Sequence, residues 1–248
     1  MLEHTFIHLP DIGTVRERQL WEDGVKTWDD FLARYSASPN HRHYCKKVAS
    51  SKYALRLGDA NHFADALPAN ETWRAFPHFK DIAYLDIETT GLGGGTDYVT
   101  VVGVYDGKKV HSYIHGKNLD TFRSDIREYD MVVTFNGSQF DLPFLRRGMQ
   151  GIRLPKLHVD LRFVLASLNI TGGLKKIEER FGMEREDDLK GLNGYDAVKL
   201  WQKYKRNGNE NALDKLVRYN AADISNLKRL MEWAYKEKRK ETGFDGTP

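Results

Sequence analysis

Apolar residues change their rhythm near residue 82. Ile82 to Glu88 predicts a first strand, with Ala83, Leu85 and Ile87 on one face and Tyr84, Asp86 and Glu88 on the other. Tyr98 to Tyr105 and Lys109 to His115 predict two more strands, joined as a hairpin at Asp106-Gly107. Thr121 to Tyr129 predicts a short helix. Met131 to Phe135 is apolar apart from Thr134, as suits a buried parallel strand. A helix over Phe140 to Gly148 and a short strand over Lys156 to Leu161 follow. Beyond them the pattern is helical: Leu161 to Leu168, Leu174 to Phe181, Tyr195 to Lys205 and a long run from Asn211 to Lys238. Meandering strands followed by alternating helices and strands predict an α/β domain over residues 81–240, a mixed five-stranded sheet flanked by helices. Residues 241–248 read as a tail.

Residues 1–65 have a different texture. Helices are predicted at Val15 to Glu22 and Thr27 to Tyr35, the second with Thr27 as N-cap and Asp29 and Asp30 in its first turn. They suggest a small N-terminal helical module. His41 to Lys47 adds a basic, aromatic-containing patch. Residues 66–80, with Pro68, Trp73 and Pro77, read as a linker.

Composition narrows this picture only slightly. The 248 residues are 40% hydrophobic and 12% aromatic, enough for a sizeable core. A net charge of +3 does not announce a nucleic-acid binder, though acidic clusters would mask basic surface elsewhere. The single cysteine, Cys45, excludes an internal disulfide and a Cys-based metal site, and fits a cytoplasmic setting. No signal peptide is recognisable. No apolar run reaches the roughly 18 residues that span a bilayer, so no membrane partner is expected.

The chemistry lies in acids at positions where structure alone prefers apolar or neutral residues. Asp86 and Glu88 stand side by side on an otherwise apolar strand, an unfavourable arrangement unless a positive charge lies between them. A divalent metal such as Mg²⁺ prefers such oxygen ligands. Asp141 follows an apolar strand in Asn136-Gly137-Ser138-Gln139-Phe140-Asp141, at the end of the sheet where open α/β folds build their sites. Tyr219 and Asp223 are four apart in the last helix and share a face, while Ala221 and Ala222 let that helix approach the sheet.

Leu85-Asp86-Ile87-Glu88-Thr89-Thr90-Gly91-Leu92, the later Asn-Gly-x-x-Phe-Asp and the late Tyr-x-x-x-Asp resemble, in this order, the DEDDy branch of the ribonuclease H-like 3′–5′ exonucleases. The YprB-type members are the most similar, over roughly residues 80–240. The resemblance implies a ribonuclease H-like fold and hydrolysis of phosphodiester bonds in single-stranded nucleic acid, DNA ahead of RNA. It also implies two divalent ions, Mg or Mn, held by Asp86, Glu88, Asp141 and Asp223. Asp86 would bridge them, Glu88 and Asp223 would complete one site, and Asp141 would serve the other. Tyr219 would orient or help deprotonate the attacking water; with an ordinary tyrosine pKa near 10 it would need the metals' help as a base, which favours orientation. Thr89, Gly91 and Leu92 would lie against the terminal nucleotide, with Asn136 helping to position the site. Read from the sequence alone, Arg146 and Arg147, followed by Arg153 and Lys156, either line a nucleic-acid strand or form a solvated helix face. Oligomeric state is not readable.

Other readings stand beside these. His158 and Asp160 alternate onto one face near the cluster and read as supporting residues rather than an acid–base pair. Gly93-Gly94-Gly95 lacks the Lys-Ser/Thr of a phosphate-binding P-loop and reads as a flexible turn. Leu9-Pro10-Asp11-Ile12-Gly13 resembles the hairpin of helix–hairpin–helix DNA-binding modules, with Asp11 in place of the usual glycine, and reads equally as a packing element. The alternative functions are a catalytically inactive nuclease fold used for binding or scaffolding, and a phosphatase of the haloacid-dehalogenase type. Glu88 and the meander of strands speak against the phosphatase.

Overall fold

The computed structural model describes residues 1–93 and 95–246. Helices come first: α1 (Thr14–Glu22), α2 (Trp28–Tyr35), α3 (Arg42–Leu57) and α4 (Ala60–Ala66). Thr27 caps α2 as expected, in a capping box with Asp30. Residues expected only as a basic patch and its sequel instead form α3 and α4. Gly58 in the left-handed conformation closes α3, and Asp59 caps α4. Only a 3₁₀ turn, Leu2–His4, precedes the Leu9 to Gly13 turn, so that turn does not join two α-helices. The stretch read as a linker carries a 3₁₀ helix, Ala69–Ala75, in which Trp73 and Arg74 are fully buried.

The sheet follows: β1 (Ile82–Thr89), β2 (Val99–Tyr105), β3 (Val110–Ile114), β4 (Met131–Thr134) and β5 (Leu157–Asp160). Its order is β3-β2-β1-β4-β5, with β1 antiparallel to β2 and parallel to β4. This is the mixed five-stranded sheet expected from the pattern. Asp106 accepts backbone N–H bonds from Lys108 and Lys109, both at 2.7 Å, and so tightens the β2–β3 turn. The segment before β4 is a 3₁₀–α–3₁₀ run around α5 (Phe122–Asp125) rather than one helix. Then come α6 (Asp141–Gly148), α7 (Leu161–Ser167), α8 (Leu174–Arg180), α9 (Gly194–Asn207) and α10 (Glu210–Glu241). No described helix is long and apolar enough to cross a membrane.

The alternation along β1 sorts the core. Ala83, Leu85 and Ile87 join Phe122, Leu142 and Leu145 on one side of the sheet. Ile82 and Tyr84 join a cluster on the other side that includes Leu227 and Leu230 of α10 and Phe6, Trp28 and Phe63 of the N-terminal helices. The N-terminal region therefore packs on the sheet through one continuous apolar layer. The tail returns to it as well, with Phe244 buried against Trp21.

A buried polar network secures that region. Glu17 Oε1 accepts from Thr5 Oγ1 at 2.6 Å and from the Phe6 N–H at 2.7 Å. Arg74 pairs with Glu17 at 3.0 Å and with Glu71 at 2.7 Å. Removing one member of such a network leaves a buried charge uncompensated. Arg74→Met is expected to lower unfolding free energy by about 3–5 kcal/mol in urea titrations, and adding Glu17→Gln is expected to restore part of the loss.

Candidate active site

One strand and two helices bring the acids together. Asp86, half-buried on β1, lies opposite Gly103 of β2, and Glu88 lies opposite Val101. A register shift between Glu88 and Thr89 ends the regular pairing just past the second acid. Asp223 projects from α10 toward the same face. Carboxylate oxygens of Asp86, Glu88 and Asp223 all lie within 4.8 Å of one another. Asp141, the first residue of α6, stands outside that tightest group. Its Oδ1 accepts the Ile87 N–H at 3.0 Å, which fixes it against β1 from the β4 side. All four acids line one cleft of about 670 Å³.

These carboxyls are strained electrostatically. Burial, reinforced by Asp141, Asp223 and Glu88, holds the Asp86 carboxyl well above the usual range. Glu88 is raised in the same way by burial and then by Asp223 and Asp141. Burial pushes Asp141 to about 7. Asp223 is raised by burial too, although Arg185 opposes the shift. Such repulsion is relieved by a cation. The set offers oxygen atoms only, which fits a hard divalent ion rather than a soft one.

Three groups that sequence reasoning missed complete the surroundings. Asn220, fully buried, donates to Asp86 Oδ2 at 2.9 Å. A Cβ at Gly103 would stand 1.9 Å from Asn220 Oδ1, so the strand must carry glycine where this side chain enters. A glycine inside the apolar run Val99 to Tyr105 was the available signal. Lys175 of α8 donates to the Tyr219 hydroxyl at 2.7 Å and lies 4.5 Å from its ring centre. Arg185 ion-pairs with Asp223 Oδ1 and is held by Glu178, its Nε lying 2.8 Å from Oε2. Burial, then the charges of Asp223 and Glu88, push the Tyr219 phenol well above its ordinary value, so it stays protonated.

The remaining predicted residues divide. Thr89, Gly91, Leu92 and Asn136 line the cleft. A Cβ at Gly91 would stand 2.5 Å from Asp97 Oδ1, so a side chain there would displace the Asp97 carboxylate from Thr90 and the Gly93 N–H. Leu92 is 93% exposed on the rim, and Tyr195 and Gln202 of α9 also line the cleft. Asn136 takes a positive φ of 67° and is held by Asp160, which accepts its N–H at 2.8 Å. Asp160 also accepts the Ser138 N–H at 3.0 Å and caps α7. His158 bonds Thr134 Oγ1 at 2.9 Å and is lowered by burial to about 4, leaving it neutral. His158 and Asp160 therefore support the turn, and the Asp160 charge adds to the upward push on Asp141. Arg146 and Arg147 lie outside the cleft lining. Arg147 stacks over Phe144 at 5.4 Å, and Arg146 lines separate cavities beside β5. Of the Gly93 to Gly95 turn, Gly94 lies outside the described residues.

A family model described as RNase_H superfamily matches residues 83–235, the span from β1 into α10. The chain belongs to the RNase_H superfamily. No curated protein matches it closely enough to count as a relative. Solved structures similar to this RNase_H-superfamily chain include the family B DNA polymerase of Pyrobaculum calidifontis, 16% identical, with TM-score 0.47 and coverage of 63% of this chain and 24% of the polymerase. The chain thus spans about a quarter of that enzyme. NrnC of Brucella melitensis is 18% identical, with TM-score 0.45 and coverage of 72% and 81% of the two chains. RNase D of Escherichia coli, an exoribonuclease involved in structured RNA processing, is 18% identical, with TM-score 0.41 and coverage of 75% and 49%.

The raised carboxyls make stability depend on pH. Between the ordinary carboxylate pKa and the folded one, the native state holds protons that the unfolded chain has released, so stability falls as pH rises. For Asp141 that window runs from 3.8 to about 7. In chelator, the contribution of this site is therefore largest near pH 4 and lost by about pH 8. Asp141→Asn is expected to melt higher than the parent at pH 8, with the difference shrinking toward pH 5, as thermal unfolding in chelator will measure.

Proposed function

We propose that this chain is a metal-dependent 3′–5′ exonuclease that hydrolyses phosphodiester bonds in single-stranded nucleic acid, DNA ahead of RNA, in the cytoplasm. The observation that carries the reading is the convergence of Asp86, Glu88 and Asp223 within 4.8 Å, with Asp141 in the same cleft. Four clustered carboxyls, three buried and one half-buried, faced only by Lys175 and Arg185, are a poor structural device and a good divalent-cation site. Asp86, Glu88, Asp141 and Asp223 would hold two ions, Mg or Mn. When bound, such ions activate water and neutralise charge on the leaving oxygen.

The chain's own groups supply the rest. Asp86, central in the cluster, is oriented by Asn220. Lys175 occupies the Tyr219 oxygen as a donor, and the phenol's own proton is directed toward Asp223, where it would orient a water held beside that carboxylate. With its pKa raised, Tyr219 acts as a hydrogen-bond donor and not as a general base. Thr89, Gly91 and Leu92 meet the terminal nucleotide from one wall of the cleft, and Tyr195 from α9 offers an aromatic surface within it. Hydrolysis breaks the last P–O3′ bond and releases a nucleoside 5′-monophosphate and a strand shortened by one residue.

Single-stranded DNA, duplex DNA and RNA labelled at either end will test this in Mg²⁺ and Mn²⁺. Products are expected to appear stepwise from the 3′ end of single strands. Asp86→Asn is expected to reduce release by about 10³-fold or more while strand binding persists. A wild type that releases nothing from any 3′ end with either metal contradicts the proposal. Lys175→Met is expected to lower kcat about 10–100-fold with little change in KM, matching Tyr219→Phe, if positioning of water is their shared role.

A further inference from the structure

Cations that do not reach the acids form a pattern of their own. Arg146 lines two adjoining cavities of about 620 and 630 Å³, which also share Pro155 and Lys156. The first adds Arg127 and Arg153, against two lining acids, Asp59 and Asp130. Asp59 is engaged as the cap of α4. The second passes the half-exposed ring of Phe163 and reaches Ser138 and Leu142, which flank the segment that delivers Asp141. At its other end the first cavity is lined by Gly58, the residue that closes α3.

Helix α3 continues the same character. It carries Arg42, Lys46, Lys47, Lys52 and Arg56 and contains no aspartate or glutamate. At 3.6 residues per turn, Arg42, Lys46, Tyr53 and Arg56 stand on one face, with the small Ala49 and Ser50 between them. Tyr53 is 56% exposed, and the Arg56 guanidinium lies 5.2 Å from its ring centre. Lys52 pairs with Asp29, and Lys156 makes an exposed pair with Asp65 at 3.1 Å, a contact of little energetic weight. Arg42, Lys46, Arg56, Arg127, Arg146 and Arg153 have no carboxylate partner among the described residues.

We infer that this track, from the basic face of α3 through the groove beside β5 to the Asn136–Asp141 segment, holds the sugar–phosphate backbone of a single-stranded nucleic acid. The inference rests on the exonuclease reading for one point only, that the 3′ end of the strand lies among the acids. Unpaired guanidiniums match phosphate geometry and gain by releasing the counterions of a polyanion. Phe163 and Tyr53 present ring faces on which unstacked bases can lie. The N-terminal helices thereby extend the binding surface beyond the cleft.

Anisotropy titrations in chelator separate binding from cleavage. The full chain is expected to bind a fluorescent oligodeoxythymidylate of about 25 nucleotides at least tenfold more tightly than one of about 5, since only the longer strand reaches α3. The double variants Arg153→Glu/Lys156→Glu and Arg42→Glu/Lys46→Glu are each expected to weaken the longer oligonucleotide by about tenfold or more and to flatten its salt dependence by about 1.4 in log–log slope. Binding of the shorter oligonucleotide, which also reports a folded protein, is expected to stay within about twofold. Lys108→Glu/Lys109→Glu, at the β3 edge of the sheet, is the control and is expected to change neither. Unchanged affinity and slope in the track variants overturn the inference, as does an equal loss in the control or a length effect abolished only by an acidic protein competitor. If the wild type cleaves nothing yet the track variants lose the longer strand, the exonuclease reading fails and the track stands.

Discussion

Asp86, Glu88, Asp141 and Asp223 repel one another in a setting where little water is present to screen them. The rest of the fold can be understood as an answer to that repulsion. β1 supplies two acids from one face because side chains alternate along a strand. The β4–α6 junction brings a third, and the Ile87 N–H ties it down. Helix α10 brings the fourth together with Asn220, and α8 and its following loop bring Lys175 and Arg185. The two cations oppose the rise of the Glu88 and Asp223 carboxyls and so reduce the net charge of the cluster. Oδ1 of Asp223 is committed to Arg185, and the carboxylate also accepts from Tyr219.

Helix α10 is the element on which this compromise turns. It carries Tyr219, Asn220 and Asp223 on the side facing the sheet, and Asn226 one turn later donates to Glu178 at 3.0 Å. Glu178 in turn holds Arg185. The chain of contacts from Asp223 through Arg185 and Glu178 returns to the same helix, so the position of Asp223 is fixed from both directions. This close approach is possible because Gly103 offers no side chain where Asn220 enters.

Much of this was legible in the sequence, for identifiable reasons. The β1 alternation gave both the core face and the acidic face, and apolar Met131 to Thr134 and the long amphipathic α10 announced themselves by pattern. Features that depend on tertiary contact were not legible. Nothing in the run Leu174 to Arg185 distinguishes Lys175 and Arg185 from ordinary surface cations; their roles come from where α8 packs. Arg146 and Arg147, expected to line a nucleic-acid strand, follow Asp141 by five and six residues, so they lie roughly 140° and 240° around the axis of α6 and do not share its face. Helices α3 and α4 and the buried 3₁₀ helix were obscured because basic residues and prolines were read as surface and linker signals, whereas Trp73 and Arg74 are enclosed.

The continuous apolar layer between the N-terminal helices and the sheet has a mechanical meaning. Ile82, Tyr84, Met131 and Val133 are sealed on that side partly by residues that lie far earlier in the chain, among them Phe6, Trp28 and Phe63. The first half of the strand that presents Asp86 and Glu88 is thus held, on the same face as those acids, by the segment that also carries the basic face of α3. A force or fluctuation that lifts the N-terminal helices exposes Ile82 and Tyr84 of β1 and Met131 and Val133 of β4 to water. The apolar start of β1 therefore anchors the end of the same strand that carries the two carboxylates.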